Sequence, residues 1–269
     1  MIRLERHRAD GSVALLVFDD PERRNAMTEA MGRAVSDAIV RLSADASVRA
    51  VVLTGAGSAF SAGGDLAMLE EKSAAGRAAP GGSARGENRA FMRAFYRLFL
   101  SVRDLPCPSI AAINGAAIGA GLAVALACDL RVASRDAKLG LNFTKLGIHP
   151  GMGSTWTLPR LVGSAHAAEL LYTGRIVDGA EAERIGMVNR CAERDAVVAT
   201  ALAIAGEIAD AAPIAVRGTK QALRNALAAQ LDEQLAFEAE QQAICYESAD
   251  LAEGLRATRE KRTPVFRGE

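Results

Sequence analysis

Short apolar runs, each closed by turn residues, mark the first half of the chain. Val13–Phe18 stops at an Asp-Asp-Pro turn, and residues 50–54 stop at a Gly-Ala-Gly turn. Both runs have the length of strands and do not alternate strictly with polar residues, which is typical of strands buried on both faces. Between them, residues 28–44 place apolar side chains at helical spacing. This part of the chain therefore predicts strand, helix, strand.

A second unit of the same kind follows. Ser109–Ile113 is a strand-length apolar run, a glycine-rich bend comes next, and residues 119–127 are small apolar residues typical of a buried helix. Two further short strands are predicted at residues 130–133 and 138–141. Repeated units of two strands and one helix indicate an α/β fold and favour a spiral of ββα turns, although the repeat is irregular.

From about residue 158 onward the pattern becomes helical. Asp178, followed three residues later by Glu181, is a capping-box pattern with aspartate as the N-cap. Further helical stretches are predicted at residues 196–210, at residues 213–246 as one or two helices, and at residues 251–261. We therefore describe the chain as a core, residues 1–195, and a helical region, residues 196–269, within one integrated domain.

Residues 72–89 carry no core-forming pattern. The segment is rich in Gly, Ala, Ser and Arg. We predict a mobile surface loop there, and a cover over the functional site is the alternative.

Composition and charge limit the kinds of partner. Lys plus Arg number 32 and Asp plus Glu number 32, so the net charge is zero. Proteins that coat nucleic acid or bind membranes through polybasic surfaces depend on a summed positive field, and neither role is expected here. The four cysteines are far apart in sequence, with no CxxC pair and no histidine cluster nearby, which indicates neither a zinc site nor a disulfide framework. No secretory apolar segment opens the chain, so a cytoplasmic location is expected.

One uncharged stretch has the length of a membrane span. Residues 109–128 carry no charge, yet Asn114 and Gly115 form strong turn chemistry that a helix in lipid would have to accommodate. A buried strand, a tight turn and a buried helix are the better account, so no membrane span is predicted.

Two glycine-rich turns, at residues 60–66 and 114–121, follow predicted strands and open predicted helices. Glycine lets the backbone bend sharply and lets a ligand atom approach the main-chain amides. A helix N-terminus adds free N–H groups with a partial positive charge. Either turn alone also suits plain packing, but the pair indicates a site for an anion or an oxyanion.

Several segments, in their order and spacing, resemble the signature segments of the enoyl-CoA hydratase/isomerase (crotonase) family over nearly the whole chain. They are PERRNAM (residues 21–27), FSAGGDL (60–66), NGAAIGAG (114–121) with Cys128-Asp129, LGIHPGMG (146–153), TGRIVDGAEA (173–182), IGMVN (185–189), and the ending EGLRA (253–257) through KRTPVFRG (261–268). The resemblance implies a crotonase-like spiral of ββα units with a C-terminal helical trimerisation region. It also implies an acyl-coenzyme A thioester as substrate, no separate cofactor, no metal, and a homotrimer or hexamer.

The resemblance assigns site residues as well. The backbone N–H groups of Gly64 and Ala120 would form an oxyanion hole around the thioester carbonyl oxygen. The residues implied to bind substrate are Arg23, Arg24, Ala26, Ala62, Asp65, Leu66, Gly121, Phe143, Lys261 and Phe266. Lys261 and Phe266 match positions that approach the CoA of the same or a neighbouring subunit, and a solvated tail charge is the alternative for Lys261. Asp65 is expected to cap or brace its turn rather than to act as an acid.

The chain departs from the family at the positions that move protons. Hydratases of the family use two glutamates to activate water and deliver a proton, and the matching positions here are Ala123 and Phe143. Other members carry a carboxylate where this chain has Pro150 or Gly151. None of these side chains transfers a proton, so ordinary crotonyl-CoA hydration is not expected.

His149 is then the candidate acid or base, because an imidazole gains and loses a proton near neutral pH. A hydrogen-bonded histidine that stabilises the turn at Pro150 is the alternative. Two classes of function stay open: a lyase or isomerase with an unusual acid or base, which we favour, and an acyl-CoA-binding protein without catalysis. Phe143 also predicts an apolar acyl pocket suited to a longer or aromatic acyl group.

Overall fold

Strands alternate with helices up to residue 192, and helices follow. The computed structural model describes residues 1–78 and 83–269. The strands are β1 (Ile2–His7), β2 (Val13–Phe18), β3 (Ala50–Gly55), β4 (Ala59–Ser61), β5 (Ser109–Ile113), β6 (Ala116–Ile118), β7 (Leu130–Ser134), β8 (Leu139–Gly140) and β9 (Arg190–Ala192). The α-helices are α1 (Glu29–Ala44), α2 (Leu66–Ala78), α3 (Ser83–Leu100), α4 (Ala120–Ala127), α5 (Ser154–Thr173), α6 (Gly179–Arg184), α7 (Val197–Ala209), α8 (Pro213–Asn225), α9 (Leu231–Glu247) and α10 (Ala249–Glu260).

The strands form two sheets that the chain visits in alternation. The larger sheet has the order β1-β2-β3-β5-β7-β9 and the smaller has the order β4-β6-β8. β1 pairs with β2 in antiparallel fashion, and the other paired strands are parallel. The successions β3-β4-α2 and β5-β6-α4 each place one strand in each sheet and then a helix. The predicted α/β spiral of ββα units, followed by C-terminal helices, is confirmed.

The larger sheet is buried on both faces, which explains why its strands do not alternate in sequence. Leu16 of β2 faces a core that includes side chains of α1, α3 and α4. Its neighbour Leu15 faces α7, whose Ala201 and Ala205 are fully buried. Burying a leucine side chain contributes about 1.5–3 kcal/mol. The helical region therefore begins as a layer of the core.

The loop predicted at residues 72–89 is wrong wherever the structure describes it. Residues 72–78 continue α2 and residues 83–89 begin α3, while residues 79–82 lie outside the described residues. The two helices pack together, with the ammonium of Lys72 at 4.3 Å from the ring centroid of Phe91. Ala, Glu, Arg and Lys are strong helix formers. Packing between the two helices supplies stabilisation that the sequence, which has no apolar helical periodicity here, does not predict.

Side-chain caps mark two of the predicted helix starts. Thr28 accepts the N–H of Met31 through its hydroxyl at 3.2 Å, which confirms the helix predicted at residues 28–44. Asp178 accepts the N–H of Glu181 at 2.7 Å. Only this half of the predicted capping box forms among the described residues, because the carboxylate of Glu181 binds the guanidinium of Arg175 instead.

The uncharged stretch at residues 109–128 forms β5, β6 and α4 inside the protein. Within the part of the chain that the structure describes, no single helix is long and apolar enough to cross a membrane. Residues 194–209 and α8 reach that length and hydropathy only together, as a pair bent by 110°.

Candidate active site

The two glycine-rich turns meet at one edge of the smaller sheet. β4 and β6 lie side by side and parallel, so the turn after each strand emerges at the same edge before α2 and α4 begin. Gly63 has a φ of 93°. A Cβ on Gly63 would lie 2.6 Å from the carbonyl oxygen of Ile118 and 3.6 Å from the nitrogen of Ala120. Only glycine suits this backbone angle and this close contact, so Gly63 lets the two turns touch.

Two backbone N–H groups at this junction have no acceptor among the described residues, which indicates a ligand site. Neither the N–H of Gly64 nor that of Ala120 donates a hydrogen bond to another described residue, whereas the neighbouring N–H of Gly119 donates to the carbonyl of Gly140 at 2.7 Å. Ala120 is the first residue of α4, where helix amides have no internal acceptor and carry a partial positive charge. The pair can therefore bind a carbonyl or anionic oxygen.

A cavity of about 440 Å³ contains both amides. The predicted site residues that line it are Arg23, Ala26, Ala62, Gly64, Asp65, Leu66, Ala120, Phe143 and His149. The predicted residues that do not line it are Arg24, Gly121, Lys261 and Phe266. Much of the remaining wall is apolar and comes from α2, α3 and the segment at residues 146–152.

Arg24 and Gly121 shape the site from behind rather than facing the cavity. A Cβ on Gly121 would lie 2.7 Å from the Cβ of Ser61, so glycine is needed there for α4 to pack against β4. Arg24 has a φ of 50°, and its carbonyl accepts the N–H of Ala62 at 2.8 Å. These contacts are structural, and the substrate-binding role implied for the two residues stays a prediction.

Lys261 and Phe266 lie in the C-terminal segment. Lys261 is exposed and ends α10 in the left-handed conformation. The ring of Phe266 packs beside Gly254, and its carbonyl accepts the guanidinium of Arg49 at 2.8 Å. Neither residue lines the cavity of its own chain, and contact with the CoA of the same or a neighbouring subunit stays a prediction.

Asp65 acts as the cap of α2. Its Oδ1 accepts the N–H of Met68 at 3.0 Å, and its Oδ2 lies 3.9 Å from the guanidinium of Arg23. The carboxylate is therefore engaged in fixing the start of the helix that follows Gly64. This is the bracing role that the sequence indicates.

The positions implied for the two hydratase glutamates carry no proton donor. Ala123 is buried within α4 and does not line the cavity. Phe143 is half-buried, and its Cζ lies 3.8 Å from the place of a Cβ on Gly119. His149 lines the cavity but is exposed, and its side chain makes no hydrogen bond to a described residue. Among the described residues, His149 therefore does not stabilise the turn at Pro150 through a hydrogen bond, which was the alternative role.

Helix α3 brings in residues that sequence reasoning missed. Met92, Phe95 and Tyr96 line the cavity, although they follow a segment predicted as a loop. Burial raises the pKa of Tyr96 above its usual value. The helical spacing of Phe91, Phe95 and Phe99 was the signal that could have found the helix, but no motif links it to the glycine-rich turns.

A second cavity, of about 600 Å³, lies between α5, α7 and α8. It is larger but lacks the two free amides. The charged groups of Asp129 and Lys220 line it, and they are paired with each other at 2.8 Å. We therefore place the active site in the smaller cavity. Within residues 1–78 and 83–269, no three His, Cys, Asp or Glu side chains are grouped as metal ligands.

Two free amides at touching glycine-rich turns, facing an apolar cavity, define an α/β protein whose site suits the carbonyl oxygen of an acyl group. Comparison with known proteins gives the same class. The family profile described as enoyl-CoA hydratase/isomerase matches residues 8–269, and the chain belongs to this family, also called the crotonase family.

Individual relatives agree along almost the whole chain. A Thermus thermophilus protein, whose name gives enoyl-CoA hydratase as a provisional activity, is 40% identical over 99% of this chain and 100% of its own length. The short-chain-enoyl-CoA hydratase of Clostridium acetobutylicum is 35% identical over 94% of this chain and 93% of its own. The crystal structure of an enoyl-CoA hydratase from Bacillus anthracis superposes with a TM-score of 0.89 at 36% identity, covering 100% of this chain and 99% of that one.

Proposed function

We propose that this protein is an enzyme that binds an acyl-CoA thioester in the 440 Å³ cavity and polarises its carbonyl group. The thioester oxygen accepts hydrogen bonds from the N–H groups of Gly64 and Ala120. The observation that carries the proposal is that these two amides lie in one cavity without a described protein acceptor. The relatives named for hydratase activity on enoyl-CoA thioesters support the substrate class.

The two amides favour the enolate-like transition state over the bound substrate. When a bond forms or breaks next to the thioester, negative charge moves onto the carbonyl oxygen, and preorganised donors stabilise that charge. Loss of one such donor typically costs about 2.7–4 kcal/mol. Backbone donors do not depend on the side chain, so Ala120 serves as well as glycine would.

Proton transfer in this site follows a different route from the one that two glutamates provide. Ala123 and Phe143 carry no proton, so we do not expect ordinary crotonyl-CoA hydration. His149 lines the cavity at an exposed position, where it can act as a base toward water or substrate. No cofactor other than the CoA of the substrate is required.

The test removes one amide without removing its residue. Proline is well tolerated at the first position of a helix, so Ala120→Pro deletes the N–H at the start of α4, and Ala120→Gly keeps it as the matched control. We expect Ala120→Pro to lower kcat by about 10²–10³-fold and to weaken binding of acyl-CoA thioesters measured by calorimetry. Ala120→Gly should stay near the wild type. Wild-type turnover and affinity in a folded Ala120→Pro variant would overturn the proposal.

A second pair covers the case in which that proline variant does not fold. Gly64→Ala keeps the other amide and has room, because its Cβ would meet Leu69 at 3.7 Å, and Gly64→Pro removes it. Circular dichroism verifies the fold of each variant. The two pairs should give the same contrast between alanine or glycine and proline.

An acyl-CoA-binding protein without catalysis is the second candidate. The absence of a proton carrier at Ala123 and Phe143 favours it. A panel of acyl-CoA thioesters, assayed for hydration and double-bond isomerisation in the samples used for calorimetry, separates the two. Turnover that His149→Ala abolishes with binding retained supports an enzyme with an unusual base. Tight binding without turnover supports a carrier or regulator.

We also propose that the chain assembles as a homotrimer, alone or paired into a hexamer. Large apolar side chains stay exposed along α8, α9, α10 and the turn between α8 and α9: Leu223, Leu227, Leu231, Leu235, Ile244, Tyr246 and Leu255. Clustered apolar surface of this kind commonly marks an interface. Light scattering should give a mass of three or six chains, and a mass of 28.2 kDa would contradict the assembly.

A further inference from the structure

Few side chains in the cavity can carry a proton. Among those that line it, Asp65, Tyr96 and His149 have suitable groups. Asp65 caps α2 through Met68, and His149 is exposed. Tyr96 is half-buried on α3 and also lines the cavity.

The phenol of Tyr96 occupies space that glycine leaves at position 151. A Cβ on Gly151 would lie 2.5 Å from the hydroxyl oxygen, 3.0 Å from Cζ and 3.4 Å from Cε1 of Tyr96. Any side chain at position 151 would therefore displace the ring. Gly151 and Tyr96 both line the cavity, so the absence of a side chain at one residue sets the position of the hydroxyl of the other.

The hydroxyl is available to a ligand. It makes no hydrogen bond to a residue within 1–78 or 83–269, although it lies among polar and apolar groups of the cavity wall. Burial raises the pKa of Tyr96, so the group is a neutral phenol at neutral pH and can donate its proton. Its neighbours Met92 and Phe95 on α3 are apolar and do not compete for that proton.

We propose that Tyr96 is the catalytic acid of this site and that its hydroxyl protonates the α-carbon of the thioester enolate held at Gly64 and Ala120. The inference rests on the function proposed above. In this step the electron pair of the enolate forms a new Cα–H bond with the phenolic proton, and the O–H bond of Tyr96 breaks to leave a phenolate. The carbonyl group is restored, and water returns a proton to the phenolate.

The reverse of this step gives a direct assay, since the small fraction of Tyr96 present as phenolate must then remove the same proton. The full-length protein is incubated with phenylacetyl-CoA in D2O, and exchange of the α-hydrogens is followed by NMR, with the dissociation constant measured by calorimetry. We expect Tyr96→Phe to slow enzyme-dependent exchange by about 10²–10⁴-fold, the usual contribution of a positioned acid or base, with the dissociation constant unchanged.

Two further variants make the test specific. Gly151→Ala should also slow exchange, because its Cβ displaces the phenol while its backbone angle suits alanine. Tyr172→Phe removes a hydroxyl from a tyrosine that is 80% exposed and outside the cavity, and it should match the wild type.

Each result has a definite meaning. Wild-type exchange in Tyr96→Phe overturns the role of Tyr96 and leaves the proposed function intact. Binding without exchange in the wild-type protein overturns the role of Tyr96 and favours the carrier. No binding of phenylacetyl-CoA or of butyryl-CoA by the wild type overturns the proposed function itself, and the role of Tyr96 with it.

Discussion

The ammonium of Lys220 lies 2.8 Å from Oδ2 of Asp129, in a pair that ties the helical region to the ββα core. The side chain of Lys220, on α8, is 5% exposed and also donates to the carbonyl of Cys107 at 2.5 Å. Asp129, just before β7, accepts the N–H and the hydroxyl of Ser109 at 2.8 Å each. Burial is compensated on both sides, so each partner depends on the other.

Removing Lys220 should destabilise the protein strongly. Lys220→Met leaves the carboxylate of Asp129 with only the more distant guanidinium of Arg224, at 3.9 Å, as counter-charge, and breaking a buried pair typically costs about 3–5 kcal/mol. Urea unfolding followed by circular dichroism measures the loss, with Lys138→Met as an exposed-lysine control. The double variant with Asp129→Asn should cost less than the sum of the two single variants. Strict additivity would mean that the pair is not coupled.

The same pair predicts a dependence on acid. Burial raises the pKa of Asp129, but Lys220 and the hydrogen bonds from Ser109 outweigh it and hold that pKa below its usual value. The contribution to stability is therefore present above the ordinary aspartate pKa of about 3.9 and is lost as the pH falls through the lower folded value. Thermal unfolding should lose more stability on acidification in the wild type than in Asp129→Asn. Parallel losses would contradict this.

Asp65 should behave as a helix cap and not as an acid. Asp65→Ala removes the acceptor for the N–H of Met68 and should cost about 1 kcal/mol of stability, whereas Asp65→Asn keeps an oxygen there. Turnover should stay close to wild type in Asp65→Asn. If Asp65→Asn abolished turnover while remaining as stable as the wild type, the carboxylate would have to be assigned a chemical role.

Phe143 should set a preference for aromatic acyl groups. Its ring lies over Gly119, and Phe95 lines the same cavity, so an aromatic acyl group gains about 0.5–1.5 kcal/mol beyond simple burial from each well-placed ring pair. Calorimetry should show tighter binding of phenylacetyl-CoA than of acetyl-CoA, and Phe143→Ala should reduce the difference. Equal affinities of the wild type for both thioesters would remove this hypothesis.

The parts of the fold that the sequence predicts are those in which local pattern and tertiary environment agree. The strand Val13–Phe18 is continuously apolar because both faces of its sheet are covered. Residues 72–78 and 83–89 form helices that the sequence does not predict, because their composition suits a loop and α2 buries none of its described side chains. Strand β1 has no apolar pattern that predicts it, because it is an edge strand with mostly exposed side chains.

The candidate site divides in the same way. The glycine-rich turns are local features, and the family resemblance that they carry implies that Gly64 and Ala120 share one site. Tyr96 is different, because it reaches the cavity only through the packing of α3. No motif in the neighbouring sequence links it to the glycine-rich turns or to Gly151. Its relation to Gly151 exists only in the folded chain.

The contact between the two glycine-rich turns is fixed by the fold, whereas the side chains around the cavity are free to change. The donors at Gly64 and Ala120 are main-chain atoms whose positions follow from strand pairing, and Gly63 and Gly121 are the residues at which an added carbon would push the turns apart. Ancestors and descendants of this chain could therefore exchange every proton-carrying side chain around the cavity and still inherit the same pair of main-chain N–H donors. New reactions on thioesters would then arise by replacing single side chains, without rebuilding the scaffold.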